Sequence, residues 1–168
     1  DNYRADSYAT LLTPTKTGCD FAYWKLEDNS QFTGDSIQMT RNITLVAQYD
    51  DQYFDVTVDP NGGKFNNKTE VFHDRVKYGT VVDLTNTEYA DHEIRDWTKD
   101  GTETLPADTS EITITADTDL VINWWSSIFY TITINPNEGV YNNSSEIQEF
   151  QARKGEPFTV GEATRERY

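Results

Sequence analysis

The chain has one cysteine, Cys19, so no disulfide can form within it, and any small extracellular fold built from it must hold together without that staple. Nowhere do about 18 apolar residues run together, the length that marks a helical membrane span. The opening stretch DNYRADSYAT has neither a basic segment nor an apolar one behind it, so no secretory leader is read there. Positive charge is scarce: 14 Lys and Arg stand against 29 Asp and Glu, for a net charge of −15. A surface that reads phosphate or anionic lipid needs clustered cations, and nucleic acid is set aside as a partner on that ground. Histidine occurs only at His73 and His92, in separate stretches, and Cys19 lies in neither. A Cys–His nucleophile pair or a zinc site would need further ligands that the sequence does not spell, so the chain reads as non-enzymatic.

What is abundant points to strands. Aromatics reach 13% while apolar residues stop at 36%, and Thr, Val, Ile and Tyr recur in short runs that suit a pleated, half-buried surface. FDVTVDP alternates Phe54, Val56 and Val58 with Asp55, Thr57 and Asp59, the period of a strand with one buried face. Pro60 cannot donate to a ladder, and Asn61, Gly62 and Gly63 favour positive φ, so a turn must follow.

The same phrase then returns. VTVDPNGGKFNN at 56–67 lies over ITINPNEGVYNN at 132–143, which sets Pro136, Asn137 and Gly139 on Pro60, Asn61 and Gly63, 76 residues apart. That offset also carries Gly79 onto Gly155. Because Glu138 stands where Gly62 does, the demand for positive φ is expected at Gly63 and Gly139. Upstream, FAYWKLEDN lies over IRDWTKDGT, which matches Trp24 to Trp97 as core residues, and TRNITLVAQYD lies over TADTDLVINWW. A pattern repeated at one spacing is one structural unit used again. The units read as the latter part of a first repeat at 1–50, a complete repeat at 53–125 and the first part of a third at 128–168, as expected for a piece of a longer array. Each complete unit is expected to hold four or five strands and at most one short helical turn, in TNTEYADHE.

The links between units hold the remaining candidates. DDQY and SSIF are short enough to leave neighbours in touch, with Trp125, Ile128 and Phe129 as contact candidates. Trp124 and Trp125 are adjacent on a strand and so point to opposite faces. Trp125 with Phe129 or Tyr130 is also where exposed rings could stack on a sugar. Asp50 and Asp51, or Asp117 and Asp119, could hold a structural calcium ion between modules; the other reading is a solvated acidic surface. Edge strands of such small sheets could also take up a strand from another chain.

YFDVTVDPNGGKF and YTITINPNEGVY, the pair Tyr78-Gly79, LLTPTKTGCDFAYW, and the closing NITLVAQYD and TDLVINWW together resemble the Listeria–Bacteroides repeat family. The first copy carries Cys19 where the family pattern prefers Tyr, and the second replaces TPTKTG with LTNTEYADHEI. The resemblance implies a mainly β fold of β-grasp-like, ubiquitin-related modules strung in an elongated tandem array, outside a bacterial cell and associated with its wall. It implies no cofactor. It also implies a non-enzymatic stalk or adhesion role, with neighbouring repeats and a host or neighbouring-cell surface protein or glycan as partners.

Overall fold

A computed structural model describes residue 4 and residues 6–165. Among the described residues there is no helix, and every regular element is a strand. In chain order these are β1 (Tyr8–Thr10), β2 (Cys19–Lys25), β3 (Gln31–Phe32), β4 (Ser36–Gln38) and β5 (Val46–Asp51). The next nine are β6 (Tyr53–Asp59), β7 (Lys64–Phe65), β8 (Phe72–Lys77), β9 (Val81–Asp83), β10 (Thr87–Glu88), β11 (His92–Lys99), β12 (Glu103–Pro106), β13 (Glu111–Thr113) and β14 (Thr118–Ser126). The last four are β15 (Phe129–Ile134), β16 (Val140–Tyr141), β17 (Gln148–Arg153) and β18 (Ala163–Thr164).

The repetition seen in the sequence is a repetition of pairing. β1 pairs antiparallel with β4, and β9 pairs in the same way with β13. β2 lies between β3 and β5, as β11 lies between β12 and β14. A bulge falls between Phe21 and Tyr23 in β2 and again between Ile94 and Asp96 in β11. β15 pairs with β17 and β16 with β18, whereas their counterparts β6 and β8 are neighbours in a five-stranded sheet of order β12-β11-β14-β6-β8.

The chain divides into two compact units. The first takes Asp1–Thr57, Phe72–Thr85 and Ser110–Asp119, and buries Ala9, Val56, Leu84 and Ile114. The second takes Val58–Val71, Asn86–Thr109 and Leu120–Tyr168, and buries Val58, Phe65, Trp97, Leu120, Ile122 and Tyr141. Each fully buried large apolar side chain among them stabilises its unit by about 1.5–3 kcal/mol. Trp97 is fully buried in register with Ile122 and Leu105, while Trp24, facing Ala47 and Phe32, is half-buried.

Two local expectations are corrected. TNTEYADHE forms no helical turn: Thr87 and Glu88 are drawn into extended pairing with Phe65 and Lys64, and Asp91 takes a left-handed φ of 57°. In the turns, positive φ belongs to Asn61 (47°) and Gly62 (89°), and to Asn137 (50°) and Glu138 (67°), not to Gly63 and Gly139. Two consecutive positive φ values, closed by Gly63 N donating to Pro60 O at 3.0 Å, make a turn of the primed kind that suits the twist of paired strands. Gly63 is needed for close approach instead. A Cβ there would lie 2.6 Å from Trp124 Cζ2 and 2.9 Å from Glu88 O, and one on Gly139 would lie 2.7 Å from Thr164 O. Glu138 shows that an L-residue can occupy the left-handed position at some cost in strain.

Candidate functional site at the repeat junctions

The residues that join one repeat to the next form clusters of polar and aromatic contacts. The first junction lies wholly within the first compact unit and the second wholly within the second. At the first, only Gln52 separates β5 from β6. Its N–H donates to Gly18 O at 3.0 Å, its C=O accepts from Tyr78 N at 2.9 Å, and its Nε2 donates to Asp20 at 2.7 Å. Gly18 has φ 70°, and a Cβ on it would lie 2.5 Å from Tyr78 Cδ1, so glycine is required twice over. Across the joint, Lys77 Nζ lies 2.7 Å from Asp51 Oδ2. The hydrogen bond from Lys77 holds the Asp51 carboxyl below the usual carboxylate range, and the same bond holds the Lys77 ammonium above its usual value.

At the second junction two residues, Ser127 and Ile128, stand between β14 and β15. Ser127 N donates to Asp91 O at 2.7 Å, and Lys154 N donates to Ile128 O at 2.9 Å. These are the two backbone bonds of the first junction, remade at the positions the repeat makes equivalent. Arg153 takes the place of Lys77 and does more. Its guanidinium donates to Glu93 Oε1 at 2.5 Å and to the Ser126 carbonyl at 2.6 Å, and it lies 5.1 Å from the Trp125 ring centre and 4.7 Å from that of Phe129. A second guanidinium, that of Arg95, lies 5.5 Å from the Trp125 ring. Rings and guanidinium groups in this arrangement attract through the ring quadrupole, by about 0.5–1 kcal/mol each at exposed sites.

Residues 2–48 match the Listeria-Bacteroides repeat domain. That segment belongs to the Listeria-Bacteroides repeat family. The family is typical of bacterial surface proteins and is generally a non-enzymatic module. No curated protein and no solved structure matches the chain. The matched Listeria-Bacteroides repeat comprises β1 to β4 and the first half of β5, so it stops short of the first junction.

Of the candidates read from the sequence, the structure gathers Trp125 and Phe129 around Arg153, and Ile128 joins them through its backbone carbonyl. Tyr130 is exposed and stands in register with Ala152. The guanidinium groups of Arg95 and Arg153 are both set against the Trp125 ring. Trp124, on the opposite face, donates from Nε1 to Pro60 O at 2.8 Å, and Asn61 Nδ2 donates to Ile122 O at 3.0 Å, so the turn is fastened to β14. Asn137 N bonds Asn135 Oδ1 at 2.9 Å, as Asn61 N bonds Asp59 Oδ1 at 2.7 Å, and Gly139 N donates to Pro136 O at 2.9 Å.

The acidic candidates are engaged locally. Asp51 binds Lys77, Asp117 accepts from Asp55 N at 2.9 Å, and Asp119 accepts from the Thr57 hydroxyl. Asp50 stands opposite Asp20 in the β5–β2 register. Among the described residues no three His, Cys, Asp or Glu side chains come together as metal ligands. No described helix is long and apolar enough to cross a membrane. Sequence reasoning passed over Gly18, Lys77, Glu93, Arg95 and Arg153. The signal for two of them was present, because the 76-residue offset that sets Pro136 on Pro60 also sets Arg153 on Lys77.

Proposed function

We propose that the chain is a non-enzymatic stalk or spacer segment of a bacterial surface protein. Its β-grasp-like modules, 1–50, 53–125 and 128–168, follow one another in an elongated tandem array on the outside of the cell. The array carries an adhesive or protein-binding region toward a surface protein or glycan of a host or neighbouring cell. The observation that supports this reading is the copied junction: Gln52 N to Gly18 O and Tyr78 N to Gln52 O at one joint, Ser127 N to Asp91 O and Lys154 N to Ile128 O at the next. A spacer transmits position and load through its joints, so a joint remade by the same backbone bonds is what that role requires. The acidic surface, at −15 overall, keeps such an array soluble and self-repelling.

Small-angle scattering on the whole chain tests the proposal, with about 1 mM calcium or with chelator, a range that spans weak extracellular calcium sites. The expected result is an elongated particle with the same maximum dimension in both. A compact particle would overturn the spacer reading, and a dimension that changes with calcium would replace it with a metal-gated joint.

A further inference from the structure

Both copies of the Pro-Asn-x-Gly turn belong to the second compact unit, and they carry different side chains. In the third repeat the Glu138 carboxylate pairs with Arg165 at 2.7 Å. The 76-residue offset sets Gly62 and Tyr89 in those two places in the central repeat. Gly62 has no side chain to send across, although a Cβ on it would meet nothing nearer than the Tyr89 hydroxyl, at 3.6 Å. The place that an ion pair spans in one repeat is therefore open in the other. A hollow of about 190 Å³ lies there, and Gly62, Gly63, Lys64, Thr69, Glu88 and Tyr89 are among its walls.

These walls are held by contacts of their own. Lys64 and Glu88 stand opposite each other in the pairing of β7 with β10, with Lys64 Nζ 3.1 Å from Glu88 Oε2. The Tyr89 ring is stacked on His92, 3.9 Å between centres and 12° from parallel, and stands at 85° to the Trp124 ring, 5.6 Å away. A site preformed in this way spares a ligand much of the cost of ordering side chains. The third repeat lacks the polar pair as well, since Val140 and Thr164 face each other where Lys64 and Glu88 do.

We infer that the hollow is a binding site for a neutral hydroxylated ring, a single pyranose unit of a glycan. Its volume is below the roughly 300–1,000 Å³ of drug-sized ligand sites, so it admits one small ring, and an aromatic wall with a few fixed polar groups is the usual make-up of such a site. Charge narrows the class further. An anion drawn to Lys64 meets the Glu88 carboxylate beside it and a chain of net charge −15, while a cation drawn to Glu88 meets the Lys64 ammonium. A hydroxyl both donates and accepts, so neighbouring hydroxyls of one ring can accept from Lys64 and donate to Glu88 and Thr69, with the C–H face of the ring against Tyr89. This inference goes beyond the spacer reading, which stands even if the hollow binds nothing.

The test is amide NMR of the isotope-labelled whole chain, titrated with methyl β-glucopyranoside, methyl β-galactopyranoside and N-acetylglucosamine to about 50 mM each, a range that reaches millimolar and weaker affinities. Two variants accompany it, Gly62→Glu and the double variant Lys64→Val with Glu88→Thr. Each installs residues that the third repeat already carries in those places, and an unchanged spectrum away from the hollow verifies that each folds. The wild type should show saturable shifts at the Gly62, Gly63, Lys64, Tyr89 and Ala90 amides with at least one sugar, and none at Glu138 and Gly139. Gly62→Glu should abolish them, and the double variant should weaken binding by about tenfold, the loss expected for charge-assisted hydrogen bonds at an exposed site. No saturable shift with any of the sugars, undiminished affinity in Gly62→Glu, or acetate moving the same amides at lower concentration than any sugar would each overturn the inference, the last by making the hollow an anion site at Lys64.

Discussion

At the first junction the chain crosses from β5 to β6 on Gln52 alone, and that residue uses both its N–H and its C=O to hold the joint. At the second it crosses on Ser127 and Ile128, and the two duties are divided, the N–H going to one residue and the C=O to the other. The side chains around these bonds have changed: Gly18 has become Asp91, and the Lys77–Asp51 pair has become Arg153 held among Glu93, Trp125 and Phe129. The invariant part of the joint is thus its backbone bonding, and the clamp laid over it is interchangeable. An inserted residue is absorbed because the bonds follow backbone groups rather than particular side chains.

The comparison breaks most sharply at Gly18. Gly18→Val places a β-branched residue at φ 70° and drives its Cβ into Tyr78, and strain with overpacking costs roughly 2–4 kcal/mol. Hydrogen exchange at the Gln52 and Tyr78 amides should accelerate accordingly, while that at Ser127 and Lys154 stays unchanged. The mirror change, Asp91→Gly, should alter the second junction by no more than about 1 kcal/mol, since the left-handed position is already tolerated there.

A smaller effect is expected from Arg153→Ala. The Arg153 side chain is 23% exposed and its Glu93 partner 56%, so the ion pair is discounted for solvent and most of the loss comes from the two rings. Together these amount to about 1–2 kcal/mol, read as faster exchange at Lys154 and Ser127. Arg153→Lys should restore only part of it, because an ammonium cannot lie flat against both rings. Retention of full protection in Arg153→Ala would show that the backbone bonds need no clamp.

The smallest effect is in pH dependence, and here the joints should differ in kind. Asp51 has a lowered folded-state value, so its contribution is present above the ordinary carboxylate range near 4 and is lost as pH falls through the lowered value. Lys77 has a raised one, so its contribution is present below the ordinary lysine value near 10.4 and is lost as pH rises through the raised value. Both groups are solvent-exposed, so the change is slight. Arginine keeps its proton throughout, so the second joint should show no alkaline loss. An alkaline step of equal size at both joints, followed by amide exchange, would remove this distinction.

Much of this architecture was legible in the sequence. Alternation in FDVTVDP located β6, Pro60 ended it, and the repeated phrase foretold that β15 would be built alike. The turn was less legible, because Glu138 in place of Gly62 suggested that no left-handed residue was needed there, whereas the structure places one there and reserves Gly63 for the Trp124 ring. The short helix proposed at TNTEYADHE failed because pairing with β7 outweighs a weak local propensity. The joints were legible as places but not as chemistry. Trp125, Ile128 and Phe129 were visible, but the cation that organises them, Arg153, stands 24 residues beyond Phe129 in a strand of its own.

The bulge shared by β2 and β11 carries one more consequence. In each, one residue falls outside the strand register, Ala22 in the first repeat and Arg95 in the second. Because that residue has no partner opposite it in β5 or β14, its side chain can be exchanged while the ladders on both sides keep their phase. The first repeat leaves this slot nearly blank with alanine, and the second fills it with a guanidinium that reaches Trp125. Each repeat thus has, at its bulge, one position whose side chain can change without shifting the register of the strands on either side.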